Sequence, residues 1–146
     1  MKITKLLTVF FIAVLLNACS SNNNDSNDQP QSIVGAWRLT NVSGGITGMS
    51  DNFDDGSITW TFNDNGTVDV WNTNTDDTKT DLFETGNYSY GFVPNTTTPQ
   101  SCAEAILING ISYGCHNISG NTLTLSQVEA DGYQVTLEKI QLTTQK

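Results

Sequence analysis

Basic residues are scarce in this chain: six lysines and arginines stand against fifteen aspartates and glutamates, with a single histidine. Nucleic acid and anionic lipid headgroups are recruited by basic surfaces, so both are poor partners for such a chain. One imidazole and three cysteines also argue against a zinc centre, which takes four protein ligands when structural. A Ser-His-Asp arrangement would have to use His116, which stands directly beside Cys115. Long hydrophobic runs are missing as well. The apolar stretch Leu6 to Leu16 is eleven residues long, against the roughly 20 that a membrane-spanning helix requires. No amphipathic helix signal of useful length occurs anywhere, apart from "SCAEA", where Ser101 could cap a single turn.

The short apolar run has the proportions of a signal-peptide core behind Lys2 and Lys5. It ends in Leu16-Asn17-Ala18-Cys19, which resembles the lipobox of bacterial lipoproteins. The resemblance implies cleavage after residue 18. Cys19 then becomes the first mature residue, carrying diacylglycerol on its sulfur and a further fatty acyl chain, of the palmitate class, on its amine. Each buried methylene adds about 0.8 kcal/mol to membrane affinity, and two or three chains anchor stably where one does not. Ser20 follows, so the resemblance points to the outer membrane, with the protein facing either the periplasm or the cell surface. Ser20 to Ser32 holds no aliphatic or aromatic residue and reads as a disordered tether. Its thirteen residues have an r.m.s. span of roughly 20 Å and a stretched limit near 45 Å. The chain is thus expected to divide into a signal peptide (1–18), a lipidated cysteine with its tether (19–32) and one folded domain (33–146).

The mature chain retains four basic residues, Arg38, Lys79, Lys139 and Lys146, against all fifteen acids, a net charge of −11. Its two remaining cysteines, Cys102 and Cys115, would lie in an oxidising compartment, and a disulfide between them is expected. Closing that loop is worth about 3 kcal/mol in the chain-entropy model.

Period-two alternation runs through the folded part. "SITWTF" puts Ile58, Trp60 and Phe62 on one face, and "GTVDVW" puts Val68 and Val70 on one face with Trp71 on the other. "NDNG" between them is a hairpin signal, and Asn109-Gly110 is a type I′ candidate. That turn would set Ile108 opposite Ile111 and Ile106 opposite Tyr113. "NYSYGF" alternates Tyr88, Tyr90 and Phe92, and "GYQVTL" alternates Tyr133, Val135 and Leu137 before the phase slips at Ile140, which suggests a bulge near Lys139. About eight strands emerge, near 34–42, 57–63, 67–72, 80–91, 104–108, 111–117, 121–128 and 132–143. Short turns between consecutive strands indicate an all-β, antiparallel up-and-down β-barrel or a sandwich.

The first strand, "IVGAWRLTNV", carries a Gly-x-Trp that resembles the lipocalin signature. With "TFNDNGT", "ISGNTLTL" and "YQVTLEKI" in order behind it, the folded part is similar to the lipocalin-like domains on lipoproteins of Bacteroidota. The resemblance implies a β-barrel of about eight strands in which Trp37 closes one end beside a basic residue of the last strand, matched here by Lys139. It also implies a non-enzymatic protein that binds a small apolar ligand in the envelope. Trp60, Phe62, Tyr88, Tyr90, Phe92 and Tyr133 are the candidate ligand-binding residues. Eight strands can enclose one small ligand, but side chains burying 150–250 Å² each could equally fill the barrel, leaving a solid module that serves an envelope protein complex. An envelope hydrolase ranks behind both.

No cofactor is implied. No catalytic residue is assigned, because the acids cluster in turns such as Asp54-Asp55 and Asp76-Asp77, where solvation explains them. "DNFDDG" begins like a calcium loop, but Phe53 takes a ligand position and Phe62 stands where the bidentate Glu belongs; a looser calcium site between acidic turns is the one metal alternative. Anchoring is directly measurable. Expressed in bacteria fed labelled palmitate, the chain should take up label and sediment with membranes, while Cys19→Ala should do neither; an unlabelled wild-type product would overturn the lipobox reading.

Overall fold

A computed structural model describes residues 32–96, 102–127 and 131–141. The leader, Cys19 and the tether up to residue 31 lie outside them. Ten strands follow one another: β1 (Gly35–Gly44), β2 (Met49–Asn52), β3 (Ile58–Phe62), β4 (Thr67–Asn72), β5 (Gly86–Pro94), β6 (Glu104–Ile108), β7 (Ile111–Ser112), β8 (Cys115–Ser119), β9 (Thr122–Ser126) and β10 (Tyr133–Lys139). Among the described residues there is no helix, and Glu104 opens a strand rather than a helical turn.

The strands form one antiparallel sheet in the order β7-β6-β5-β4-β3-β1-β10-β9-β8, with β2 also paired to β1. One edge of β1 carries β10; the other carries β3 along Gly35 to Arg38 and β2 along Asn41 to Gly44. At the far ends of the order, β7 and β8 are separated only by Tyr113 and Gly114. The Ile106 carbonyl accepts from Tyr113 N–H (2.8 Å), and Ile106 N–H donates to the Gly114 carbonyl (2.9 Å). The chain therefore leaves β6 and passes straight onto β9. The result is a strongly curled, barrel-like sheet. Counting β2 with β3 and β7 with β8 as interrupted strands, eight runs succeed one another up and down.

Turn chemistry sets the register. Asn109 (φ 53°) and Gly110 (φ 77°) both take positive φ, as a type I′ hairpin demands, and Ile108 pairs with Ile111. Between β3 and β4, Asn63 N–H donates to the Thr67 carbonyl at 2.8 Å, and the Asn65 side chain accepts from Thr67 N–H at 3.1 Å. Gly114 has a more exacting role. It sits at φ +65°, and a Cβ there would lie 2.0 Å from the Ser126 carbonyl oxygen, so only glycine lets the chain bend from β6 to β9 at this point. The Cys102–Cys115 disulfide lies immediately beyond the bend.

Alternation places Ile58, Trp60, Phe62, Val68, Val70, Leu123, Leu125, Val135 and Leu137 inside, with Trp37, Leu39, Ile106 and Ile108. Trp71 points outward and is 61% exposed. Besides the added strand β2 and the break of the expected strand 111–117 into β7 and β8, two details depart from the sequence expectation. The phase slip belongs to β1, where the pairing jumps from Leu39–Leu137 to Asn41–Thr136; β10 simply ends at Lys139. Thr40 is the extra residue. Its hydroxyl donates to the Thr136 carbonyl (3.0 Å) and its own carbonyl accepts from Phe53 N–H (3.0 Å), which carries β1 from one edge partner to the next. Second, residues 73–85 form a loop and β5 starts only at Gly86. Here side chains outbid the ladder: Asn72 accepts from Asn74 N–H, Asp76 accepts from Thr78 N–H, and Asp81 accepts from the amides of both Asn72 and Asn74.

Gly114 gives a sharp comparison with Gly110, whose added Cβ would meet nothing within 4 Å. Gly110→Ala should lose about 1–2 kcal/mol, the cost of left-handed backbone alone. Gly114→Ala adds a backbone clash and should lose distinctly more, as read from denaturant midpoints; equal losses would show that the close approach to Ser126 does not matter.

Candidate functional site

The six candidate ligand-binding residues do not form one wall. Trp60 and Phe62 are sealed in the core. Trp60 meets Phe83 edge-on at 5.3 Å and Phe62 at 6.2 Å between ring centroids, and its indole N–H is buried with no hydrogen-bond partner. Tyr88 packs on Phe83 at 4.8 Å and donates its hydroxyl hydrogen to the Glu84 carbonyl at 3.0 Å. Tyr133 lies at the start of β10 against Gly45, and its N–H donates to the Gln127 side chain at 2.8 Å. These four complete the packing. A barrel filled by large interdigitating rings is dense core, not cup.

Tyr90 and Phe92 behave differently. They line a cleft of about 360 Å³ at one end of the sheet, together with Ile33, Val34, Glu104 and His116. Register explains why these residues converge. Tyr90 pairs with Ile108 and Phe92 with Ile106, and His116 pairs with Leu125. Ile106, Ile108 and Leu125 are buried inside, and directly paired residues share a sheet face. Glu104 falls on the same face two residues before Ile106. Near the strand ends that inward face runs out of core to pack against, and Phe92 is 41% exposed.

The geometry of the cleft is well fixed. Phe92 meets Tyr90 edge-on at 6.2 Å and lies tilted against His116 at 5.1 Å. The Tyr90 hydroxyl donates to the Asn63 carbonyl at 2.7 Å. Ile33 is held by its carbonyl, which accepts from the Trp37 indole N–H at 2.7 Å. The disulfide joins the residue beside His116 to one two positions from Glu104. The Nδ1 atom of His116 is buried and has no hydrogen-bond partner. Sequence reasoning named Tyr90 and Phe92 but missed Ile33, Val34, Glu104 and His116. The Asn109-Gly110 register carried the signal for Glu104, since it sets residues 104, 106 and 108 on one face.

Elsewhere several charged groups are engaged in structure. Arg38 bridges Glu138 and Asp55, which hold its guanidinium still more firmly protonated. Asp69 accepts from the Asn87 and Asn63 amides, which lower its carboxyl below the usual range. Asp76 is lowered by its bonds from the Thr78 hydroxyl and N–H. In "DNFDDG", Asp51 accepts from Thr80 N–H (2.8 Å) and Asp55 faces Arg38. Among the described residues no three His, Cys, Asp or Glu side chains are grouped to hold a metal. A second, polar cleft of about 260 Å³ lies between Asp54, Asn74, Asp76 and Lys79. There Lys79 Nζ is turned to the Asn52 carbonyl at 2.7 Å.

No protein family, curated protein or solved structure matches the chain.

The aromatic cluster yields a pH test. Burial pushes the Tyr113 hydroxyl up to about 12, from an ordinary value near 10. Below pH 10 the phenol is protonated in folded and unfolded chains alike and has no effect. Above it the unfolded chain ionises first, so stability falls as pH rises from 10 towards 12. Thermal midpoints should drop across that window, and Tyr113→Phe should flatten the drop. Burial raises Tyr90 in the same direction, so a residual slope belongs to that residue; no change on removing the Tyr113 hydroxyl would show that it ionises freely in the fold.

Proposed function

We propose that this chain is a lipid-anchored envelope protein of lipocalin-like build that catalyses no reaction and works through its outer surface on an envelope protein partner. The filled interior carries this reading: Trp37, Trp60, Phe62, Leu123, Leu125 and Leu137 occupy the space that a ligand cup would need. The lipocalin-like assignment is supported at the first strand. Trp37 pairs with Lys139 of the last strand, whose Nζ stands 5.3 Å from the Trp37 ring centroid. An exposed outward tryptophan, Trp71, is the kind of side chain that dominates protein interfaces. The lipobox residues Leu16 to Cys19 support anchoring at the outer membrane, facing the periplasm or the cell surface.

A second reading keeps the small apolar ligand and moves it from the barrel interior to the cleft beside Tyr90 and Phe92, where two of the expected residues meet a space of ligand size. Native mass spectrometry separates the two. Purified without denaturant, the protein should carry no mass beyond its own anchor; a co-purifying lipid-sized mass would replace the solid frame with a carrier.

A further inference from the structure

We infer that the cleft formed by Ile33, Tyr90, Phe92, Glu104 and His116 binds a small organic cation, an amine with a short apolar or flat aromatic body. The argument is one of charge and hydrogen-bonding complementarity. Among the described residues no lysine or arginine lines the cleft. Besides Tyr90, its polar side chains are Ser32, whose hydroxyl oxygen already accepts from Val34 N–H at 3.1 Å, Glu104, whose carboxylate only accepts hydrogen bonds when ionised, and His116, whose buried Nδ1 has no partner. The Tyr90 hydroxyl, the one strong side-chain donor of fixed direction, is committed to the Asn63 carbonyl at 2.7 Å. An anionic occupant would find no counter-charge here and would face Glu104. A donor-rich cation would satisfy the Glu104 carboxylate.

The apolar half of the cleft points the same way. Ring faces attract cations within about 6 Å of their centroids. Phe92 offers such a face, fixed by its edge-on contact with Tyr90 at 6.2 Å and its contact with His116 at 5.1 Å. Ile33 and Val34 supply an aliphatic wall for the body of the ligand. The volume of about 360 Å³ falls at the small end of ligand sites, which suits an aryl or short alkyl amine and excludes a long-chain lipid. The net negative charge of the mature chain draws cations towards the surface, a long-range effect to which any acid contributes equally. Glu104 should contribute beyond its share.

Titration calorimetry on the mature full-length chain in detergent, with phenethylammonium as probe and phenethyl alcohol and phenylacetate as its uncharged and anionic counterparts, decides the matter. Phenethylammonium should bind about ten-fold more tightly than the alcohol, and phenylacetate more weakly than either. Glu104→Gln should erase the preference for the cation and leave the alcohol unchanged. Phe92→Ala should weaken both cation and alcohol. Asp77→Asn, which removes an equal charge from an exposed position outside the cleft, should change nothing. Equal binding of all three probes, no binding of phenethylammonium at millimolar concentration, or equal losses from Glu104→Gln and Asp77→Asn would overturn the proposal. Far-UV circular dichroism of each variant confirms that the sheet is intact. The solid-frame reading fails separately, on a co-purifying lipid mass, whereas this proposal fails only on the titrations, run on protein that native mass spectrometry shows to be free of such a mass.

Discussion

Trp37 pairs with Trp60 on one side and with Lys139 on the other, and this row joins the first strand to both β3 and β10. The indole is fully buried, its N–H is bound to the Ile33 carbonyl at 2.7 Å, and its ring is covered by the Lys139 ammonium at 5.3 Å. The other interior positions depend on that row. A slip of one residue in β1 would turn Leu39 and Val42 out to water and bring Arg38 inside, and one in β10 would turn out Val135 and Leu137 and bring in Glu138, because side chains alternate faces with period two. On the outer face Arg38, next to Trp37, pairs with Glu138 of β10 and with Asp55 just before β3. These exposed ion pairs add little energy. They do belong to the correct register alone, so they favour it over its neighbours.

Filling the interior follows from chain size. A domain of roughly a hundred residues buries a limited share of its surface, and each enclosed apolar side chain contributes about 1.5–3 kcal/mol. Large rings give the most burial per residue, and Trp60 meets Phe62, Phe83 and Tyr113 edge-on in one connected cluster. The arrangement carries one cost, the unpartnered Trp60 N–H. A hollow barrel of this length would have had to give up several of those rings.

Much of the fold was legible because its signals are local. Asn109-Gly110 fixed a hairpin through positive φ, and alternation from Ile58 to Phe62 and from Val68 to Val70 fixed inward faces that the structure retains. β2 was not legible: "MSDN" has no alternating apolar face, and its half-exposed strand exists through pairing with β1. The 73–85 loop was hidden by Thr, Asn and Asp side chains whose hydrogen bonds compete with a ladder without changing its apparent periodicity. The bulge was sought on β10, where the phase slips, yet two paired strands share any register jump and β1 holds the extra residue. The site was harder again. Tyr88, Tyr90 and Phe92 alternate identically, and what separates packing residue from cleft residue is how far the neighbouring strands extend, a property that no single stretch of sequence encodes.

That extent is set at the junction between β6 and β8. Gly114 marks the place where the chain turns from β6 to β9: its carbonyl accepts from Ile106 N–H at 2.9 Å, and Cys115 opens the pairing with β9. Beside the turn the Cys102–Cys115 bridge ties the segment before β6 to the start of β8, with 5.7 Å between the two Cα atoms. Glu104 and His116 lie close to the bridge on these two segments, and Phe92, on the neighbouring strand, sets its ring against the imidazole. The cleft therefore lies where the chain changes pairing partner, beside a covalent tie between the two segments that carry Glu104 and His116.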